Sequence, residues 1–317
     1  MNLKSFSVYV NHRLSSFNKV IEVDADKSLS IRSFLIGSIC LGVSKIKNVL
    51  ESGDVRHAIS TLKKLGVKIV RIKKGYYKIF GNGIGSFEIK KNSLLDFGNS
   101  GTASRLILGA LSTNPNIEVR IKGDKSLNKR SMKELINILS KFGATFLPKG
   151  KVNFPLKMIS SNMPVGINYN AGVSAQLKSA VIFAGLNSYG NTIINEKINS
   201  RDHTENLLKN NKEAIFISKN SKKKIIIYGK KSLRPITLNI SGDPSSAAFF
   251  VALTLLNKNS KIKIKNVGLN PTRIGFYELL KKQGLKIYLL NKRKLNNEIR
   301  GDILVKSCKM KPINANQ

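Results

Sequence analysis

Acidic side chains are scarce in this sequence, with 18 Asp and Glu against 55 Lys and Arg and a formal net charge of +37 at pH 7. Charged residues together make up 23%, close to the ordinary share of about 25%, so acid is missing rather than charge added. That balance favours anionic partners: nucleic acid, an anionic membrane or acidic metabolites. Tryptophan is absent and aromatics are only 7%, which argues against RNA, whose single strands are held by aromatics interleaved on a basic face. The lysines are spread along the chain, as an AT-rich genome would spread them. Lys222-Lys223-Lys224 beside Ile225-Ile226-Ile227 reads as a solvated turn entering a strand. Cys40 and Cys308 have no metal-type spacing, which fits a reducing compartment. The longest apolar stretches, 34–42 and 247–256, fall well short of the roughly 20 residues a spanning helix needs. The first 14 residues lack an apolar signal core. The expectation is a soluble, cytoplasmic protein, not bound to membrane or nucleic acid.

At 317 residues the chain exceeds the usual single core of about 250–300, which predicts two domains. Its most informative feature is an internal repeat. Ser28, Ser100, Ser174 and Ser245 recur at intervals of 72, 74 and 71 residues, each at the polar start of an Ala/Leu/Ile-rich helix. A second helix type ends in leucine, basic residues and glycine before a strand: Leu62-Lys63-Lys64-Leu65-Gly66, Leu139-Ser140-Lys141-Phe142-Gly143 and Leu280-Lys281-Lys282-Gln283-Gly284. Each glycine suits the left-handed residue after a helix end. Residues 204–211 form a degenerate copy without the glycine. Each unit reads as strand, helix, strand, helix and one or two strands, and several units pack with helices inward and sheets outward.

Helix starts with free backbone N–H groups bind anions. One such start says only that a helix is capped, but four at one period predict a shared anion cleft. Arg32 follows Ser28 by one turn, so both face one way. Asp202 and Glu205 are placed to cap the next helix, His203 reads as structural, and Asp124 and Asp243 read as structural turn carboxylates.

Seven segments resemble, in order, the signatures of the 5-enolpyruvylshikimate-3-phosphate synthase family. They are Asp26-Lys27-Ser28-Leu29-Ser30-Ile31-Arg32, Phe97-Gly98-Asn99-Ser100-Gly101-Thr102-Ala103-Ser104-Arg105, Gly123-Asp124-Lys125-Ser126-Leu127-Asn128-Lys129-Arg130, Ser174-Ala175-Gln176-Leu177-Lys178-Ser179-Ala180, Ser200-Arg201-Asp202-His203-Thr204-Glu205, Gly242-Asp243-Pro244-Ser245-Ser246-Ala247-Ala248 and Asn270-Pro271-Thr272-Arg273. The resemblance implies an α/β fold, a two-lobed inside-out α/β barrel of repeated βαβαββ units. Residues 1–24 and 240–317 would belong to a first lobe and 25–239 to a second. It implies transfer of the enolpyruvyl group of phosphoenolpyruvate to the 5-hydroxyl of shikimate-3-phosphate, in aromatic amino-acid biosynthesis, by a monomer with no cofactor and no metal. Lys27 then contacts both substrates and helps move the proton. Ser28, Arg32, Ser174, Ala175, Gln176, Ser200 and Arg201 hold shikimate-3-phosphate, while Asn99, Gly101, Thr102, Arg130 and Gln176 hold phosphoenolpyruvate. Arg105 either touches that substrate or supports the residues that do, and Arg273 holds the lobe-closing region. The inhibitor glyphosate competes for the phosphoenolpyruvate site in this family, and forms with glycine at the position of Gly101 are generally sensitive.

The sequence departs from the family pattern in two places. Asp24-Ala25-Asp26 stands where a Pro-Gly-Ser-like turn is usual. The family's base aspartate, the glutamate after it and further Lys and Arg residues lie beyond a stretch resembling Met310-Lys311-Pro312-Ile313, so the chain is expected to be C-terminally truncated. Six units of about 72 residues would need about 430. An inactive form that still binds shikimate-3-phosphate is therefore an alternative. A UDP-N-acetylglucosamine enolpyruvyl transferase would show a cysteine in the 120–130 loop, where there is none. An RNA-phosphate-cyclase-like protein would lack the Ser174 and Ser200 signatures.

Overall fold

The computed structural model describes residues 14–218 and 223–309, with Tyr9 and Pro312. Most of residues 1–13, Lys222, and Met310, Lys311 and Ile313 lie outside the described residues. The repeat takes the form of one sheet plan used four times. The first unit comprises β1 (Asn18–Glu22), α1 (Lys27–Ile39), β2 (Leu41–Lys47), α2 (Gly53–Lys64), β3 (Lys68–Lys73) and β4 (Tyr76–Asn82). The second has β5 (Ser93–Asp96), α3 (Gly101–Ser112), β6 (Glu118–Lys122), a short α4 (Lys125–Asn128), α5 (Lys133–Ser140), β7 (Thr145–Leu147) and β8 (Leu156–Ile159). The third has β9 (Asn168–Ala171), α6 (Ala175–Leu186), β10 (Asn191–Glu196), the degenerate α7 (His203–Leu208), β11 (Ile215–Ser218) and β12 (Lys223–Tyr228). The fourth has β13 (Thr237–Asn239), α8 (Pro244–Leu256), β14 (Lys261–Gly268), α9 (Gly275–Lys282), β15 (Ile287–Leu295) and β16 (Glu298–Lys306).

In every sheet one strand pairs in parallel with the strand that follows the first helix of a unit, and two antiparallel pairings complete the four. Membership is exchanged at the ends: β1 joins the sheet of β14–β16, and β13 joins that of β2–β4. The chain therefore crosses twice between two cores, one built from residues 25–240 and one from 247–305 with Phe17, Ile21 and Val23 against it. The crossings run side by side. The Asp26 N–H donates to the Ser241 carbonyl at 2.9 Å, and the Asp243 N–H to the Asp24 carbonyl at 2.8 Å.

Helices α1 and α6 are apolar on all sides rather than striped, the pattern of a helix with no solvent face. Every residue of α1 from Leu29 to Ile39 is buried. Its serines survive burial by bonding back to their own helix, Ser30 to the Asp26 carbonyl, Ser33 to Ser30 and Ser38 to Phe34, all within 2.8 Å. The amphipathic α2, α5 and α9 end as the sequence predicts, with Gly66, Gly143 and Gly284 at φ of +86°, +94° and +80°. Helix α8 is as apolar as α6, yet Phe249 and Leu256 on it are 78% and 75% exposed. Among the described residues no helix is long and apolar enough to cross a membrane.

In the larger core α3 and α6 pack backbone to backbone. A Cβ placed on Gly109 would sit 2.5 Å from the Ala180 carbonyl oxygen and 2.7 Å from its Cα. Backbone cannot swing aside as a side-chain tip can. Gly109→Ala is expected to force the helices apart and cost about 1–3 kcal/mol, read as a lower urea midpoint. An unchanged midpoint would overturn the close backbone contact between α3 and α6.

Candidate active site

Because α1, α3 and α6 pack on one another inside the larger core, their N-termini open at the same end. Ser100 and Ser174 are the N-caps of α3 and α6, their hydroxyls accepting from the N–H groups of Ala103 and Leu177 at 3.3 Å. The expectation of four alike anion-binding starts needs correction at α1 and α8. There the caps are Asp26 and Asp243, not serine, each accepting from a backbone N–H two or three residues on. A carboxylate at an N-cap already answers the positive end of its helix, so free anion-binding ends remain at α3 and α6.

Those two ends border a cavity of about 590 Å³ lined by Lys27, Asp54, Asn99, Gly101, Thr102, Arg105, Arg130 and Gln176. Three cations face one carboxylate there. Lys27 Nζ lies 2.8 Å from Asp54 Oδ2. Arg130 donates to Asn99 Oδ1 at 2.7 Å, Arg105 to the Gly101 carbonyl at 2.9 Å, and Gln176 Nε2 to Thr102 Oγ1 at 3.0 Å. Burial, and then the neighbouring Arg130 charge, lower the pKa of Arg105, as expected where guanidiniums crowd with no anion between them. A Cβ on Gly101 would lie 2.8 Å from an Arg105 terminal nitrogen and 3.0 Å from one of Arg130, so the missing side chain leaves room for both. A second cavity of about 310 Å³ includes Arg105 and Gln176 again and adds Ser174.

The structure places the other sequence-predicted residues deeper or apart. Arg32 is buried, donating to Thr204 Oγ1 at 2.9 Å, Ser179 Oγ at 3.2 Å and the Ser28 carbonyl at 3.3 Å, so α1, α6 and α7 meet on one guanidinium. Burial brings its pKa down to about 10 against the pull of Glu205 and Asp26. Ser200 is buried, and Ala175 is the first residue of α6. Arg201 is exposed as a residue while its guanidinium is partly desolvated, and that desolvation, then the charge of Arg273, lowers its pKa. Ser28, Arg32, Ala175, Ser200 and Arg201 do not line either cavity.

Asp202 and Glu205 do not cap α7. Asp202 stands at the N-cap position without a cap bond and accepts from Asn206 and Asn270 instead, while Glu205 is buried against Lys178. Sequence reasoning also missed Asp54, a short residue in α2 whose only signal is that α2 packs on α1. It missed a buried quartet as well: Lys178 Nζ lies 2.7 Å from both Glu196 Oε1 and Glu205 Oε1, and Lys223 Nζ 2.8 Å from Glu196 Oε2. Lys178 stands inside a quoted signature, but its partners come from other strands and helices.

Burial pushes the Glu196 carboxyl up, and hydrogen bonds from Lys178, Lys223 and the Ser200 N–H outweigh it, holding the pKa at about 2 against an ordinary 4.5. A depressed carboxyl contributes stability that is full above the unfolded pKa and is lost as pH falls through the folded one. The urea midpoint is therefore expected to fall between pH 4.5 and 2, and to fall less steeply in Glu196→Gln. Parallel slopes would remove Glu196 from the acid lability of the fold.

The sequence model of the EPSP synthase family (3-phosphoshikimate 1-carboxyvinyltransferase) matches residues 12–316. A protein of that name from Sulfurihydrogenibium is 38% identical over 297 residues, covering 92% of this chain and 68% of the relative. One from Novosphingobium aromaticivorans is 38% identical, covering 90% and 65%. One from Zymomonas mobilis is 36% identical, covering 96% and 67%. The chain thus spans about two thirds of the length of the curated relatives it matches. The EPSP synthase of Acinetobacter baumannii superposes with a TM-score of 0.81 at 32% identity, over 92% of this chain and 65% of that one. The enolpyruvyl transferase NikO of Streptomyces tendae shares the fold, with a TM-score of 0.69 at 11% identity over 93% of this chain and 66% of its own.

Proposed function

The chain belongs to the EPSP synthase family, and from that premise we propose that it carries the substrate site for enolpyruvyl transfer from phosphoenolpyruvate to the 5-hydroxyl of shikimate-3-phosphate. The observation that supports this most is the convergence of Lys27, Arg105 and Arg130 on one cavity at the starts of α3 and α6, with Asp54 alone to oppose them. Such a site is built for a small, multiply charged anion rather than for a polymer. Two phosphates and two carboxylates must lie side by side for this reaction, and fixed donors in a cleft stabilise gathered negative charge better than water does.

In the reaction the 5-hydroxyl oxygen attacks C2 of phosphoenolpyruvate, the hydroxyl proton leaves, and C3 takes up a proton. The tetrahedral adduct then loses phosphate from C2 and a proton from C3, restoring the double bond. Arg130 and Arg105, with the N–H groups around Gly101 and Thr102, would face phosphoenolpyruvate; Asn99 and Gln176 orient its site. Lys27 would touch both substrates and help carry the proton to and from C3, with Asp54 2.8 Å from its amine. On the shikimate side, Ser174 would give its hydroxyl to phosphate, with Ser200 and Arg201 beside it. Arg32 and Ser28 contribute from α1. The two cores act as two lobes, 25–239 and 1–24 with 240–317, that close on the substrates and exclude water before chemistry. The reading extends to a monomer in the cytoplasm that uses no metal or cofactor.

The first test is binding. Shikimate-3-phosphate at about 100 times its Kd contributes about 2.7 kcal/mol to the folded state, roughly 4 °C in melting temperature for a chain this long. An equal concentration of inorganic phosphate is expected to do far less. No shift with shikimate-3-phosphate, or the same shift with phosphate alone, would falsify the substrate assignment. A second test uses Gly101→Ala, whose methyl pushes two flexible guanidiniums aside. Glyphosate affinity in the presence of shikimate-3-phosphate is expected to drop about tenfold or more, the scale of one charge-assisted contact, with shikimate-3-phosphate affinity unchanged. Equal glyphosate affinity in both proteins would remove Gly101 from the phosphoenolpyruvate side.

A further inference from the structure

Behind Ser200 lies the buried quartet, which the proposed reaction does not use. Lys178, one turn beyond Ser174 in α6, is fully buried, as are Glu196 at the end of β10 and Glu205 in α7. With Lys223 they make two positive and two negative charges, paired within 2.8 Å by three contacts. Ions taken this far from water are tolerated only when paired with good geometry, and a well-packed apolar cluster would often stabilise as much. What the quartet holds is therefore the informative question.

Glu196 has two further donors that Glu205 lacks. The backbone N–H of Ser200 and its hydroxyl both donate to Glu196 Oε1 at 2.8 Å, on the same oxygen that takes Lys178. Residues 197–202 join β10 to α7 and carry Ser200 and Arg201. At the α7 end Asp202 accepts from Asn206, Asn270 and Thr272, and among the described residues the two Glu196 bonds are the hydrogen bonds that hold the 197–201 part of the loop. One carboxylate oxygen, itself fixed by a lysine from the helix that starts at Ser174, thus sets the loop's distance from the α6 start.

We propose that Glu196 is a positioning residue: it holds Ser200, and through it Arg201, where the phosphate of shikimate-3-phosphate is gripped, while Lys178 fixes Glu196 itself. This rests on the reading of the site given above. On binding, the loop is already in place, so little ordering opposes association.

Titration of the 317-residue chain with shikimate-3-phosphate, alongside thermal melting, tests it. Glu196→Ala is expected to weaken binding about tenfold, the scale of a hydrogen bond to a charged group. Glu205→Gln removes a carboxylate from the same lysines and is expected to lower the melting temperature comparably while keeping Kd within about twofold, since Glu205 makes no bond to the loop. In the double-mutant cycle, Glu196→Ala with Ser200→Ala is expected to lose less than the product of the two single losses. Should Glu196→Ala fail to fold, Glu196→Leu with Lys178→Met deletes one charge of each sign and the acceptor together, and the same tenfold loss is expected. Folded Glu196 variants that bind like wild type, or a Glu205→Gln protein that loses as much affinity as Glu196→Ala, overturn the proposal alone. Wild-type protein that does not bind overturns the site reading and this inference with it.

Discussion

A helix that is apolar on every side has one stable place, enclosed by other elements, and the rest of this structure depends on that constraint. Helices α1 and α6 obey it, and α3, buried along most of its length, packs against both beneath three sheets. Each of these helices runs into the same strand of its sheet, β2, β6 or β10, so the helices enter in the same sense and their starts gather at one end. The cavity is a consequence of this packing, not an addition to it. Small residues make the approach close enough: Gly109 against Ala180 in the core, and Gly101 where backbone meets guanidinium.

The two cores are joined by more than two strands of chain. Arg273, ahead of α9, donates to Asp26 Oδ2 and Asp243 Oδ1 at 3.1 Å, so a single buried guanidinium holds the N-caps of α1 and α8, one from each core. Its terminal nitrogens also reach Ser245 Oγ at 3.0 Å and His203 Nε2 at 3.2 Å, while His203 Nδ1 lies 2.8 Å from Glu298 of β16. Arginine has only donors, so Nε2 must accept and the ring proton sits on Nδ1, donated to Glu298. The tip of the β15–β16 hairpin adds Asn296 on the Thr237 carbonyl and Asn297 on that of Asn206. The caps that set the angle of α1, and with it Lys27 and Arg32, therefore answer to the other core.

Much of this was legible in the chain. The period near 72 predicts the four repeated units, and the leucine-to-glycine endings predict three helix stops at positive φ, because both are local signals repeated often enough to exceed chance. What was not legible is pairing across the fold. Ser28 and Ser245 occupy the repeat register, but the caps are Asp26 and Asp243, since their carboxylates answer a helix start and Arg273 together. Asp202 and Glu205 look like capping residues by spacing, and tertiary partners claim both instead. Nothing near Glu196 in sequence announces Lys178, 18 residues away, or Lys223 on a neighbouring strand. Such pairs depend on which elements meet, which one sequence does not state.

The shortage of acid acquires a structural meaning once the pairs are placed. Glu51, Asp96, Glu118 and Asp302 each hold a lysine or arginine on the sheets. Asp26 and Asp243 hold Arg273, and Glu196 and Glu205 hold Lys178. Carboxylates committed in this way are not available to neutralise the cavity, where Arg105 and Arg130 face each other and Asp54 serves Lys27 alone. An excess of +37 spread over the surface is screened within about 10 Å at ordinary ionic strength and gives little selectivity. The uncompensated charge that matters is the local one, because inside a cleft with low-dielectric walls the same cations act on an anion at close range. Selectivity for a small acidic substrate therefore comes from where acid is absent, and the global deficit is the background against which that absence was kept.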